Sequence, residues 1–317
     1  PTYPITEGKA ARIMTGAPVP EGADAIIMHE RTSFTENTVT LTAPVTSANI
    51  IPPGEDVAAG TLLVPKGKIL TASDLALIAG QGIAEIGVYK KLSIGLISTG
   101  SELLNTGSPL EYGKIYNTNP YLLGGYIQKH HMTANYLNTV SDDLDSLCRA
   151  VLEALKTNDI VITTGGVSAG DFDYMPEVIR RIGGDLLFHR LKFKPGGAML
   201  GAFKDGKVIL GLSGNPGAAA TGLLCVGFPF MRKLSGRSDI TFSQTTAYLG
   251  VDFKKSSPVT RILKGHSDFK NGMLYFTPLS NQHNGSVSSM SDCDLLAIIP
   301  AGSKPLATGD KLEVYIL

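Results

Sequence analysis

The sequence predicts an α/β protein: a three-layer α/β domain flanked by β-rich domains in a multi-domain chain. Three observations carry this. Between residues 91 and 236, short β-branched apolar runs alternate with helical stretches, the pattern of a parallel sheet covered on both faces. After Ser235-Gly236-Arg237-Ser238-Asp239 the helical periodicity stops, and residues 240–317 read as short strands alone. Residues 1–56 are also strand- and turn-rich, punctuated by Pro18-Val19-Pro20-Glu21-Gly22 and Ile51-Pro52-Pro53-Gly54, both strong chain-reversal signals. The expected domains are therefore a β-rich domain over 1–56, a linking segment over 57–90, the α/β domain over 91–236 and a β-barrel-like domain over 240–317.

In chain order, strands are expected over 23–28 and 38–42. Thr71-Ala72-Ser73-Asp74 is a helix entry with a hydroxyl cap, closed at Gly80-Gln81-Gly82. Residues 92–98 form a strand that empties into Thr99-Gly100-Ser101-Glu102. Helices follow over 120–130 and 143–156. The run Ile160-Val161-Ile162-Thr163-Thr164 then opens into Gly165-Gly166-Val167-Ser168-Ala169-Gly170-Asp171-Phe172-Asp173. A helix over 174–182 leads on to a strand over 208–212, which ends at Ser213-Gly214-Asn215-Pro216-Gly217 before a helix over 218–234. Tail strands are expected near 245–251, 259–263, 273–278, 294–299 and 311–316.

Three of these strands end in glycine-bearing loops with hydroxyls and acids. One such loop is a tight strand-to-helix turn; three at the carboxyl ends of strands in one doubly wound sheet point to a shared pocket. Gly165 and Gly166 lack the Cβ atoms that would keep a ligand from the backbone N–H groups. Thr163, Thr164 and Ser168 add hydroxyls, and Asp171 and Asp173 are hard oxygen donors for a cation or an ordered water. Such loops suit a phosphate-bearing ligand.

Bulk properties exclude several classes. Lys+Arg and Asp+Glu balance at 28 each, which gives no electrostatic pull toward nucleic acid or a membrane surface. No apolar run approaches the roughly 20 residues of a membrane helix. Hydrophobic residues make up 43% and charged residues 18%, as expected of a globular chain with ample core. Pro1 to Glu7 lack a basic stretch followed by an apolar one and do not read as a signal peptide; with no Met at residue 1, upstream sequence is expected. The three cysteines, Cys148, Cys225 and Cys293, are far apart and odd in number, which argues for free thiols in a reducing cytoplasm. The six histidines show no zinc spacing, and His130-His131 reads as a polar cap at a helix end or a surface feature.

Four segments carry a family resemblance: Arg12-Ile13-Met14-Thr15-Gly16-Ala17-Pro18-Val19-Pro20-Glu21-Gly22-Ala23-Asp24-Ala25, Gly54-Glu55-Asp56-Val57, Ser98-Thr99-Gly100-Ser101-Glu102-Leu103 and Thr164-Gly165-Gly166-Val167-Ser168-Ala169-Gly170-Asp171. In this order they closely resemble the molybdopterin molybdenumtransferase (MoeA-type) family, which includes the gephyrin E domain. The resemblance covers essentially the whole chain. It implies an elongated homodimer with a molybdenum cofactor-binding-like α/β domain. It implies insertion of molybdenum from molybdate into adenylylated molybdopterin, with release of AMP and finished cofactor, assisted by Mg²⁺. It also implies a contact with the molybdopterin adenylyltransferase. These expectations agree with the residues: phosphates need a cradle of N–H groups, a dianionic oxyanion needs cations, and a phosphate-bridging cation needs carboxylates.

The resemblance carries over position by position. Asp173 matches a metal- or water-positioning acid, with Glu102 and Asp171 as further pocket acids. Thr164, Gly165, Gly166, Ser168, Asn215 and Pro216 match the cofactor-binding loops. Asp142 and Asp143 match paired acids, Asp142 reaching the nucleotide. Lys194 matches a lysine at the oxyanion, preceded by Arg190. Thr15 and Asp56 match residues that approach the pocket across the dimer, and Arg261 and Ser286-Val287-Ser288-Ser289 match tail residues that face it. Taken singly, Asp56 also reads as a turn stabiliser and Arg261 as a surface charge.

Departures from the family cluster at the expected oxyanion site. Where the family has Lys-Pro after Lys194-Pro195-Gly196, this chain has Gly197-Ala198; Ser213 replaces a proline, Ala218 a serine and Ser101 an acid. Two functions follow: an active transferase with Lys194 as the main remaining cation, or a family-fold protein that holds pterin and nucleotide without inserting metal. If the lost lysine matters, Gly197→Lys with Ala218→Ser should lower the molybdate requirement about tenfold, one charge-assisted contact of roughly 1.4 kcal/mol.

Overall fold

The computed structural model describes residues 4–167 and 173–317. The chain forms two compact units, residues 1–64 and 65–317.

In the first unit a 3₁₀ turn, His29–Arg31, leads into an antiparallel hairpin of β1 (Thr32–Phe34) and β2 (Val39–Leu41). Ile26 and Thr46 form an isolated antiparallel bridge, in place of the longer strand expected over 23–28. The Arg12 guanidinium lies 4.9 Å over the Phe34 ring. No described side chain of this unit is fully buried, and Met14, Phe34, Leu41, Val45, Ile51 and Leu62 are all exposed.

The second unit opens with α1 (Ala72–Gly80). A capping box starts it: the Asp74 N–H donates to Thr71 Oγ1 at 3.3 Å, while the Thr71 N–H donates to Asp74 Oδ2 at 2.9 Å, satisfying two otherwise orphaned donors. Then follow β3 (Ser93–Ser98), β4 (Leu103–Leu104), β5 (Ile115–Tyr116), α2 (Asn119–Lys129), β6 (Thr133–Tyr136), α3 (Leu144–Thr157), β7 (Ile160–Thr164), α4 (Met175–Arg181), β8 (Asp185–His189), β9 (Phe193–Lys194), β10 (Leu200–Lys204) and β11 (Lys207–Leu212). A continuous helical stretch comes next, α5 (Pro216–Gly222), a π-turn (Leu223–Gly227) and α6 (Phe228–Leu234).

Six of these strands form one sheet in the order β6-β3-β7-β11-β10-β8. The first four are parallel to one another and β10 is antiparallel to both its neighbours. Alternate residues feed two cores, as strand pleating demands. Ile94, Leu96, Ile160, Ile162, Leu210 and Leu212 pack with Leu123 and Ile127 of α2 and with Leu223, Phe228 and Met231. On the other face Ile97, Val161 and Ile209 pack with Leu147 and Val151 of α3 and Val178 and Ile179 of α4. The result is the three-layer α/β arrangement expected.

The tail contains β12 (Gln244–Leu249), β13 (Thr260–Lys270), β14 (Met273–Pro278), a short helix α7 (Ser288–Ser291), β15 (Leu295–Ile299) and β16 (Lys311–Ile316). Its strands run β14-β12-β16-β15-β13, and β13 pairs back onto β14. The sheet therefore closes into a five-stranded barrel around Leu249, Leu263, Phe276, Ala297 and Val314, which removes its open edges. Two features attach it to the α/β layers. Ile262, Met290 and Leu296 join the core under α2 and α6, and β9 pairs in parallel with β13.

Candidate active site

The parallel register sets Ser98 of β3 and Leu212 of β11 on either side of Thr164 of β7. The three glycine-bearing loops thus leave the sheet side by side. The Thr99 N–H donates to Thr164 O at 2.9 Å and the Gly165 N–H to Leu212 O at 3.0 Å. Gly165 has φ +100, and a Cβ there would stand 2.4 Å from Thr99 Oγ1, so only glycine lets these two loops touch. On the other side Gly214 lies close enough that its own Cβ would be 3.6 Å from Gly165 Cα. Asn119, at the start of α2, donates from Nδ2 to Gly214 O at 2.8 Å, and its buried Oδ1 has no partner among the described residues. Nothing in the sequence pattern marked Asn119.

The predicted acids separate by role. Glu102 is exposed, and its Oε2 lies 2.7 Å from where a Cβ on Gly100 would stand. Asp142 accepts from the Ser101 N–H at 3.1 Å and so holds the loop after β3. Asp143 is the N-cap of α3, accepting from the Ser146 N–H at 2.8 Å. Hydrogen bonds from the Ser141 hydroxyl and the Ser146 N–H hold its carboxyl down at about 2, so this acid is structural. Asp173 is half-buried just before α4, whereas Ser168 and Asp171 lie outside the described residues. Thr15 and Asp56 are exposed turn residues of the first unit. Among the described residues no three His, Cys, Asp or Glu side chains converge as a metal cage. The exposed Glu102 carboxylate lies beside the loops and is a hard oxygen donor open to solvent.

Two of the predicted cations are register partners at the splice between the α/β layers and the barrel. Lys194 of β9 is the direct register partner of Arg261 of β13. Arg261 is half-buried, with its guanidinium 5.7 Å over the Phe253 ring and its buried Nε without a partner. Neither side chain is ion-paired to a carboxylate among the described residues. Further along β13 is Lys264, wholly buried, whose ammonium donates to His283 O at 3.2 Å and to Ser289 Oγ. Desolvation pushes its pKa below the usual lysine range. A Cβ on Gly217 would stand 3.2 Å from Lys264 Nζ and 2.9 Å from Asn284 O. The Ser-rich segment, tied together by Ser286 and Ser289, therefore sits on the Asn215-Pro216-Gly217 turn. Sequence reasoning missed Lys264: a lysine in a strand reads as solvent-facing.

The structure reverses one expectation. A Cβ on Gly197 would stand 2.1 Å from Phe193 O and 2.4 Å from Leu191 O. The Gly197 carbonyl meanwhile accepts from the N–H groups of Leu191 at 2.9 Å and Met199 at 3.0 Å. This glycine is the pivot of a tight loop, and no lysine fits there without moving backbone. Ala218 is likewise buried at 3% exposure. Gly197→Lys with Ala218→Ser is thus expected to damage the loop rather than to improve anion binding. Ser213 has a role of its own, accepting from the Asn215 N–H at 3.3 Å.

Comparison with known proteins agrees with this architecture. Residues 95–233 match the family model of a probable molybdopterin binding domain, residues 1–82 that of the MoeA N-terminal region (domain I and II), and residues 246–317 that of the MoeA C-terminal region (domain IV). The chain is 35% identical over 313 residues to the molybdopterin molybdenumtransferase of Staphylococcus aureus (strain MRSA252), covering 98% of this chain and 75% of that one. With the molybdopterin molybdenumtransferase of Bacillus subtilis (strain 168) it shares 37% identity over 314 residues, 98% of this chain and 73% of that one. A solved molybdopterin biosynthesis moeA protein from Pyrococcus horikoshii superposes with a TM-score of 0.81 at 26% identity, covering 100% of this chain and 78% of that one. By these matches and by its fold, the chain belongs to the molybdopterin molybdenumtransferase (MoeA) family.

Proposed function

We propose that this chain acts in molybdenum cofactor biosynthesis, inserting molybdenum from molybdate into adenylylated molybdopterin and releasing AMP and the finished cofactor. The observation that carries this reading is the register pair Lys194 and Arg261. These are two cations without carboxylate partners among the described residues, one with a buried, unpartnered N–H, in segments adjoining the α/β domain that carries the glycine loops. Leaving such donors unmatched is costly, and a dianionic oxyanion matches them.

In this reading Lys194 and Arg261 hold molybdate, and Lys264 keeps the Ser-rich segment against the Asn215-Pro216 turn. The loops at Thr164-Gly165-Gly166-Val167-Ser168 and Ser213-Gly214 take the pyrophosphate and pterin. Asp142 steadies the loop that faces the nucleotide. Glu102, Asp171 and Asp173 serve Mg²⁺, which when bound neutralises phosphate charge. A homodimer supplies Thr15 and Asp56 from a second copy of the chain; the exposed apolar side chains of the first unit support this pairing. The molybdopterin adenylyltransferase delivers the substrate. No helix among the described residues is long and apolar enough to cross a membrane, and the three free thiols support a reducing cytoplasm as the place of action.

Reconstitution with adenylylated molybdopterin, Mg²⁺ and graded molybdate tests the proposal. Molybdate-dependent release of AMP is expected. Retention of adenylylated molybdopterin without AMP release at any molybdate concentration would show a binding protein instead.

A further inference from the structure

A second cavity, of about 570 Å³, lies where α2 and α6 meet the segment leading into the barrel; Lys129, His130, Arg232, Thr241, Phe242 and Gln244 contribute to its wall. The 11 residues of α2 start beside Gly214 and end at this cavity, so about 16 Å of helix separates it from the candidate active site.

A buried cation stands in its wall. Arg232 is only 5% exposed. Its Nη1 donates to Thr241 O at 2.7 Å, its Nη2 reaches His130 Nδ1 at 3.4 Å, and its buried Nε has no partner. Phe242 lies 4.2 Å from the guanidinium carbon. Among the described residues no carboxylate is ion-paired with Arg232. Asp239, which also lines the cavity, is committed to Arg237 through both carboxylate oxygens.

The sequence suggested that His130 is a polar cap. It does end α2, but its ring is wedged edge-on against Phe228 at 4.4 Å and Phe242 at 5.3 Å. Burial and the nearby Arg232 charge hold its pKa down to about 4. It is therefore neutral near pH 7, with Nδ1 accepting from Arg232 and Nε2–H left as a donor. The cavity thus combines a buried guanidinium, the Lys129 ammonium, the amide of Gln244 and an aromatic wall.

The geometry points to a second ligand site, for a phosphate group carried on a small, partly apolar body. A guanidinium and an ammonium are the usual partners of phosphate. The space is that of a nucleotide-sized ligand, far more than a free phosphate fills. Phe242, with Ile240 and Ile316 on the same wall, gives the body an apolar surface.

Proton NMR of the His130 ring, assigned by His130→Gln, provides a readout confined to this cavity. Titrating the 317-residue chain with AMP at constant ionic strength should shift the His130 signal saturably, and Lys129→Ala should weaken that binding at least tenfold. Inorganic phosphate should produce the same shift at tenfold or higher concentration. Equal potency of phosphate and AMP would identify free phosphate as the ligand and overturn the size argument. A His130 signal that does not move, or that moves equally in the Lys129→Ala chain, would overturn the site. Because Arg232→Gln risks the fold through Thr241, Gln244→Leu serves as the second variant, with the same loss expected.

Discussion

Replacing Gly197 by alanine decides whether this position marks a lost catalytic lysine or a repacked loop. The Cβ would stand 2.1 Å from Phe193 O and 2.4 Å from Leu191 O. Both obstacles are backbone, so relief means shifting the chain by about 1 Å and disturbing the N–H groups of Leu191 and Met199 that bond to the Gly197 carbonyl. Overpacking of this kind costs about 1–3 kcal/mol. At roughly 2–4 °C per kcal/mol for a unit of this size, the thermal midpoint of Gly197→Ala should fall by roughly 2–12 °C. Gly197→Lys should fall at least as far without lowering the molybdate requirement. The control is Gly125→Ala in α2, where nothing lies within 4 Å of the new methyl; there a gain of about 0.5–1 kcal/mol is expected from helix propensity. Scanning calorimetry with urea titration gives both numbers. A Gly197→Ala chain as stable as its parent would show that the loop yields easily, and the missing lysine would again have to be read as a functional loss.

Lys194→Ala and Arg261→Ala should each raise the molybdate concentration for half-maximal AMP release about tenfold or more, on about 1.5–3 kcal/mol for a charge-assisted contact; unchanged values in both place the oxyanion elsewhere. Lys264→Met should slow turnover while leaving the fold no less stable, since the lysine holds the Ser-rich segment yet is itself buried without a counter-charge. Its depressed folded pKa means that the unfolded chain binds more protons. Parent stability should therefore rise with pH until the unfolded lysine titrates at about 10.4, and Lys264→Met should flatten that rise in urea titrations below that pH. Asp143, held at about 2 when folded against about 3.9 unfolded, contributes stability that is complete above pH 5 and lost as pH falls toward 2. Asp143→Ala should remove that part of the acid transition in circular dichroism of the helices.

The parallel strands were legible because each is an apolar run that ends abruptly in Thr-Gly or Ser-Gly. The barrel strands were legible as a break in helical periodicity. What escaped were edges and splices. β6 is a four-residue edge strand, Thr-Ala-Asn-Tyr, with no apolar face to betray it. β8 leaves Leu186 and Leu187 exposed, which defeats an argument from burial. β9 has two residues, and its partner is a strand of the tail. At the candidate site the glycine loops were readable from residue type. Asn119 and Lys264 owe their importance to contacts between segments distant in sequence, which no local pattern records. Gly197 was noticed only as a missing charge; its steric role needed the backbone.

The splice of β9 onto β13 has a consequence for biosynthesis on the ribosome. Segments are made in order, and contacts between distant segments form late. The three glycine loops belong to a sheet completed at β11, whereas Arg261 and Lys264 arrive only with the tail. A nascent chain halted before β13 could fold its sheet and still lack Arg261 and Lys264. On the proposed reading of Lys194 and Arg261 as an oxyanion pair, that pair is assembled only after β13 has been made, so a product truncated before β13 should bind molybdate less tightly.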